Sequence, residues 1–297
     1  MSNIPFDNRD GWIWQNGDFV AWRDAKIHII TQGLHYASAV FEGERAYNGV
    51  IFKSLEHTQR LFRSAEIMGM KIPYSQEEIN KAKNDLLLKM NMKNCYVRPI
   101  VWRGSNQMGL STSSADIHVA IAIWNDWASY FKIEDRLKGI TLITSPWKRP
   151  SPETAPSQAK ASGPYVICTM SKEFAEKKGY HDALMLDYRN YVAEGTGANI
   201  FFIKDKDKEI HTPIADCFLN GITRQTVIEM LKRKGFKLIE RHIKPNEISQ
   251  FQEAFLTGTA AEITPIKSID EILYKTGKET LSYNFMNDFT NLVNSSI

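Results

Sequence analysis

Two Asn-Gly dipeptides do most to limit the folds open to this chain. Asn16-Gly17 lies between Trp12-Ile13-Trp14 and Phe19-Val20-Ala21-Trp22, and Asn48-Gly49 lies between the apolar-rich residues 40–47 and Val50-Ile51-Phe52. Asn-Gly accepts the positive φ values of a two-residue hairpin turn, so each dipeptide predicts an antiparallel hairpin. Helix signals follow directly. Ser54 reads as the N-cap of a helix to about Met68, and Ser75 with Glu78 forms a capping box for a helix to about Met90. Strands are expected over 96–102 and 117–124. Hairpins mixed with helices predict an α+β or α/β arrangement.

The chain has 297 residues, enough for two domains. The polar, irregular stretch 126–138 is expected to link a domain of residues 1–125 to one of residues 139–297. In the second part, strands are expected at 139–144, 183–187, 190–193, 199–203, 209–211, 237–240 and 254–257. Helices are expected over 165–178, closed by Gly179, over 223–234, closed by Gly235, and over about 279–293.

Lys and Arg total 37 against 34 Asp and Glu, a net +3 that is too mild to predict nucleic-acid or membrane binding. The most apolar run, 118–124, has the length of a strand and not of a membrane span. Cys95, Cys168 and Cys217 form no CxxC pair, so reduced thiols and a cytoplasmic location are expected, and residues 1–10 show no signal-peptide pattern. The 7 histidines are scattered without ligand spacing, and no metal site is expected.

Four segments carry chemistry. Lys160 sits among Ala159, Ala161, Ser162 and Gly163 after a Pro-rich loop, small company that lets another molecule approach the amine. Desolvation lowers a lysine's pKa and frees it as a nucleophile suited to a Schiff base. Glu194-Gly195-Thr196-Gly197-Ala198-Asn199 interrupts two strand patterns and can aim a carboxylate at a heteroaromatic nitrogen, holding that nitrogen protonated. Asn220-Gly221-Ile222-Thr223 opens a helix whose N–H groups suit a phosphate, and residues 257–262 form a second hydroxyl-rich turn. Each segment alone also fits an ordinary turn or helix start. Together they match pyridoxal 5'-phosphate.

At this point the chain resembles the branched-chain amino acid aminotransferases, fold-type IV pyridoxal-phosphate enzymes of the class IV aminotransferase family. The motifs are His35-Tyr36, Phe41-Glu42-Gly43, His57 with Arg60-Leu61, Tyr96-Val97-Arg98-Pro99, Ala159-Lys160-Ala161, Glu194-Gly195, Gly221-Ile222-Thr223-Arg224 and residues 257–264. The resemblance implies a small N-terminal α/β domain and a larger C-terminal pseudo-barrel domain, with the cofactor between them. It implies reversible amino transfer between L-leucine, L-isoleucine or L-valine and 2-oxoglutarate. Lys160 would carry the cofactor as a Schiff base and shuttle the proton, and Glu194 would pair with the pyridine nitrogen. Arg60, Gly221, Ile222, Thr223 and Thr259 would surround the phosphate, with Tyr165 at the phenolic oxygen and Leu219 on the ring. Substrate would meet Tyr96 and the Thr259 and Ala260 amides. Tyr36, Phe41 and Tyr130 would wall the side-chain pocket, with Gly43, Arg45 and Arg98 also lining the site. Met108-Gly109-Leu110 resembles a loop that reaches a neighbouring subunit, so a homodimer is implied, with a trimer of dimers as a further assembly.

A D-amino acid aminotransferase or an aminodeoxychorismate lyase of the same fold type would need the same Lys and Glu. Phe41-Glu42-Gly43 and Tyr96-Val97-Arg98 favour the branched-chain reading. Glu44, Ala198 and Arg103 depart from the familiar pattern. Strand alternation turns Glu44 away from the face that Phe41, Gly43 and Arg45 share.

Overall fold

A computed structural model describes residues 4–125, 131–204 and 209–295. The chain divides into two compact units. Among the described residues the first holds 4–125 and 159–163, and the second holds the others.

The first unit is a sheet backed by two helices. Its elements are β1 (Trp12–Gln15), β2 (Asp18–Ala21), α1 (Gln32–Tyr36), β3 (Ala39–Phe41), β4 (Glu44–Tyr47), β5 (Val50–Ile51), α2 (Ser54–Ile67), α3 (Gln76–Lys89), β6 (Cys95–Arg103) and β7 (Ile117–Trp124). The order is β2-β1-β7-β6-β4-β5, with β3 also on β6. Asn16-Gly17 and Asn48-Gly49 make their hairpins, with positive φ at all four residues. The Ser75–Glu78 capping box forms as expected. The α2 N-cap is Lys53, however, at a φ of 51°, and Ser54 is already helical, its hydroxyl donating to Asn80 Oδ1 at 3.2 Å.

The strand expected over 40–47 is broken at Glu42-Gly43. The β3 and β4 pairings with β6 keep one register, Phe41 opposite Ile100 and Glu44 opposite Val97, which sets Glu42 against Pro99. Glu42 N–H donates to the Pro99 carbonyl at 2.9 Å, but proline has no N–H to return. The ladder therefore loses one bond there, and the pleat continues unshifted.

Alternation sorts this sheet into two faces. Val40, Ala46, Cys95, Val97 and Val101 join Leu61, Ala65, Ile79, Leu86 and Leu87 in the core under α2 and α3. Glu42 and Glu44 share that inward parity and are fully buried. Glu44 meets Lys83 Nζ at 2.9 Å, and Lys83, itself fully buried, also donates to Thr58 Oγ1 at 2.7 Å. This bears out the reading that Glu44 faces away from Phe41.

The second unit is built on α4 (Ile133–Lys138), β8 (Ile140–Arg149), α5 (Tyr165–Lys177), β9 (Asp182–Asp187), β10 (Val192–Glu194), β11 (Asn199–Lys204), β12 (Glu209–Thr212), α6 (Ile222–Arg233), β13 (Lys237–Glu240), β14 (Glu253–Gly258), β15 (Glu262–Ile269), β16 (Ile272–Leu273) and α7 (Leu281–Ser295). Strand order β10-β9-β8-β15-β14-β11 closes through a β10–β11 pairing into a barrel, with β12 and β13 extending from β11. Ile140, Leu142, Leu184, Ile200, Phe202, Ala254, Leu256 and Ile266 belong to one core. The opposite parity of β11 and β14 packs outward, where Phe201 stacks on Phe255 at 5.0 Å and Phe255 meets Phe285 of α7.

Two expectations change here. Of the supposed linker, 126–130 lie outside the described residues, while Ile133–Lys138 is helical and Arg136, buried, pairs with Glu262 at 3.0 Å. Residues 159–163 group with the first unit and not with the second. Among the described residues no helix is long and apolar enough to cross a membrane.

The buried Glu44–Lys83 pair yields a stability prediction. Lys83→Met should cost about 3–5 kcal/mol, because it strands a carboxylate in the core. Adding Glu44→Leu should recover most of that loss in urea unfolding.

Candidate active site

Lys160 lies on a short extended segment laid against β3. Ala161 bridges Val40, the Phe41 N–H donates to the Lys160 carbonyl at 3.0 Å, and the Ser162 N–H donates to the Ala39 carbonyl at 2.9 Å. The Lys160 N–H donates to Ser64 Oγ of α2 at 3.0 Å. Ala159 and Ala161 are buried in the helix-side core, so alternation turns the Lys160 side chain to the other face. The small neighbours thus have a packing reason that the sequence reading missed.

On that other face Lys160 Nζ lies 5.0 Å from the Phe41 ring centroid, and the Arg98 guanidinium lies 4.8 Å from the same ring. Arg98 Nη2 donates to Tyr96 Oη at 2.9 Å. Arg98 Nε is buried without a protein partner among the described residues. A cavity of about 360 Å³ opens on this unit, and Arg98 is the one charged residue among those that line it. Gly43 makes room for Tyr96: a Cβ there would stand 2.0 Å from Tyr96 Oη. Arg45 is half-buried, directly opposite Tyr96, with its guanidinium over Tyr47. Tyr36 is exposed on α1, and Tyr130 lies outside the described residues.

Burial, with Arg60 adding to it, brings the Lys160 amine down to about 8. Arg60 is buried on α2 and bonds Glu42 through Nε at 2.6 Å and Nη2 at 2.8 Å. Burial alone would raise the Glu42 carboxyl, but Arg60 and then His57 hold it well below the usual range.

The second unit carries the other expected residues. Glu194 and Asn199 face each other across a tight β10–β11 hairpin, and Asn199 Nδ2 donates to Glu194 Oε2 at 3.1 Å. Asn199 also holds the segment before α6, donating to the Leu219 carbonyl at 3.1 Å and accepting from the Gly221 N–H at 3.2 Å. A Cβ on Gly221 would stand 2.4 Å from Asn199 Oδ1, so only glycine fits this approach. Arg149 Nε lies 3.4 Å from Glu194 Oε1, and its Nη1 donates to Cys168 Sγ at 3.2 Å. Sequence reasoning did not single out Arg149, and it had Asn199 only as the last residue of the 194–199 turn, with no role of its own. The Glu194–Asn199 hairpin spacing carried a signal for Asn199, whereas Arg149 precedes the Pro-rich loop with no local mark.

Ile222 and Thr223 are buried in the first turn of α6, which has Gly221 as N-cap and no acidic residue. Its first N–H groups have no acceptor within the helix. Opposite Asn199 on β14 stands Thr257, whose hydroxyl is buried with no partner among the described residues. Thr259 and Ala260 are half-buried in the β14–β15 turn, and Tyr165 opens α5. Asp187, Asp216 and Cys217 also come within metal-ligand reach of one another, but Arg189 Nη2 bonds both carboxylates, at 2.7 and 2.8 Å.

Comparison with known proteins places these features in a family. Residues 39–269 match the model of amino-transferase class IV, and the chain belongs to that family. It is 45% identical over 267 residues to the branched-chain-amino-acid aminotransferase of Pseudomonas aeruginosa, covering 89% of this chain and 86% of that one. Against its counterpart from Escherichia coli K12 the identity is 35% over 271 residues, covering 90% and 87%. Among solved structures, the Escherichia coli branched-chain amino acid aminotransferase superposes at a TM-score of 0.91, with 34% identity over 97% of this chain and 96% of that one. The enzyme of that name from Thermobaculum terrenum, in its PLP-bound holo-form, gives a TM-score of 0.87 at 28% identity, over 97% of this chain and 95% of that one.

The lowered amine gives a pH prediction for the cofactor-free protein. An unfolded lysine keeps its proton to about 10.4, whereas folded Lys160 releases it near 8. Between these values the unfolded state binds more protons, so stability should rise with pH across that window. Below it the contribution is constant. Lys160→Met should flatten the rise in urea midpoints measured from pH 7 to 10.

Proposed function

We propose that this class IV aminotransferase moves the amino group between L-leucine, L-isoleucine or L-valine and 2-oxoglutarate, with pyridoxal 5'-phosphate as cofactor. The observation that carries the reading is Lys160, an amine lowered to about 8 on a segment fixed by core alanines and by Ser64. Such an amine is a nucleophile near neutral pH. The second unit fits the cofactor's phosphate and ring: a glycine-capped helix start without acids, a Thr257 hydroxyl with no partner among the described residues, and a buried carboxylate at Glu194. The relatives' branched-chain names favour this reading over D-amino acid transfer or lyase chemistry.

When bound, the cofactor supplies an aldehyde for amines and a ring that withdraws electrons from the substrate Cα. Lys160 Nζ would hold the cofactor, and as a free amine it would be the base that carries the proton at the substrate Cα. Glu194 holds a proton at the ring nitrogen, and Arg149 and Asn199 fix its carboxylate. Arg60, Gly221, Ile222, Thr223 and Thr259 bind the phosphate, Tyr165 orients the phenolic oxygen, and Leu219 packs on the ring. Tyr96 and the Thr259 and Ala260 amides bind the substrate carboxylate. Phe41, Tyr36, Gly43 and Arg45 would shape the side-chain pocket, and the resemblance adds Tyr130, which lies outside the described residues. The protein works as a homodimer, for which a trimer of dimers is the further assembly that the resemblance implies. Its three free, buried cysteines suit a reducing compartment, and we place it in the cytoplasm.

Borohydride reduction of the loaded protein should leave a phosphopyridoxyl group on the Lys160 peptide, a gain of the cofactor's mass less one oxygen, because imine formation loses water and reduction adds two hydrogens, and Lys160→Ala should abolish turnover. Labelling of another lysine, or steady-state transamination by that variant, would refute the role.

Leucine and glutamate pose opposite demands, methyls against a carboxylate. Arg98 meets both, because its guanidinium lies over Phe41 and Tyr96 while its Nε has no protein partner among the described residues. Arg98→Met should lower kcat/KM of the glutamate half-reaction by roughly 2–5 kcal/mol and alter the leucine half-reaction far less. Stopped-flow measurement of each half-reaction separates the two, and equal losses would sink the assignment.

A further inference from the structure

Glu42 is a fully buried carboxylate held chiefly from one helix. His57 Nδ1 lies 2.7 Å from its Oε2, Arg60 Nε donates to Oε1 at 2.6 Å and Arg60 Nη2 to Oε2 at 2.8 Å. The Gly43 N–H adds a longer bond at 3.3 Å. His57, Arg60 and Ser64 are spaced along one face of α2, and Ser64 Oγ accepts the Lys160 N–H. One helix face therefore fixes both the carboxylate and the main chain that carries the amine.

A carboxylate bonded to both Nε and Nη2 leaves a planar guanidinium a single orientation. It also turns the edge bearing Nη1 away from the carboxylate. We propose that Glu42, steadied by His57, is the positioning residue for Arg60 and sets its guanidinium in the orientation that receives the cofactor phosphate. The proposal rests on the phosphate role given to Arg60 above. Stability alone is a poor reason for such a pair, since desolvating two charges offsets most of their attraction. The same core already carries the Glu44–Lys83 pair, two residues along the strand. Glu42 and Arg60 also act on the Lys160 amine with opposite signs, so the pair limits the field there.

Pyridoxal lacks the phosphate, and its freed hydroxyl closes onto the aldehyde in solution equally for every variant, so the change in the ratio of the two Kd values from one variant to another isolates the phosphate. Both are measured by equilibrium dialysis on the full chain. Glu42→Gln should weaken pyridoxal 5'-phosphate binding about tenfold, the scale of one hydrogen bond to a charged group, and change pyridoxal binding little. Arg60→Met should show the same selective loss, and the double variant should lose no more than Arg60→Met alone. A wild-type ratio in Glu42→Gln, equal losses for both compounds, or additive losses in the double variant would overturn the proposal. An Arg60→Met protein with a wild-type ratio would overturn it too. If Glu42→Gln does not fold, Glu42→Asp keeps the charge but withdraws it by one methylene. A smaller loss, still selective for the phosphate, is then expected, and an unchanged ratio overturns the proposal equally. Failure of the cofactor reading looks different: the wild-type protein itself would show no preference for the phosphate-bearing compound.

Discussion

The pleat of the first sheet is the constraint on which everything around Lys160 depends. Even-numbered residues from Val40 to Ala46 face the helices, and the odd-numbered Phe41, Gly43 and Arg45 face the other way. A slip of one residue would exchange these sets and push Arg45 into an apolar core. The ladder is weakest opposite Pro99, which has no N–H to give. There the Glu42 side chain reaches across to α2 and ties strand to helix through two charged bonds. Lys160 inherits this order, because its segment is bonded to β3 on one side and to Ser64 on the other.

Local chemistry made much of the fold legible. Both Asn-Gly hairpins, the Ser75–Glu78 box and the helix ends at Gly179 and Gly235 depend on a few adjacent residues, and all appear where expected. What escaped the sequence depends on distant partners. Pro99 breaks a strand that lies far from it in the chain. The strand Glu262–Ile269 is almost continuously buried, so it lacks the alternation that marks a half-exposed strand. Residues 133–138 look polar because only some of them face inward, yet Arg136 anchors them to Glu262.

The candidate site divides in the same way. Lys160, Glu194 and the glycine-led helix start were visible as short motifs. Arg149 was not, since its pairing with Glu194 joins two strands on either side of α5. His57 stood within a recognised motif, but its tie to Glu42 needs α2 packed on the sheet. The small residues beside Lys160 suggested access for a partner molecule, and burial in the core gives them a different purpose.

The closed barrel of the second unit bears on how the chain is made. β8 is parallel to β15, with Ile140 paired to Ile266, and to β9, with Leu142 paired to Asp182. During synthesis at about 5–20 residues per second, one edge of β8 waits roughly 6–25 s for its partner to leave the ribosome. Long-range parallel pairing of this kind is slow, and an unpaired apolar edge invites other chains. The nascent second unit is thus most vulnerable to aggregation before residue 269 emerges, and chaperone dependence in the cell should concentrate in that interval.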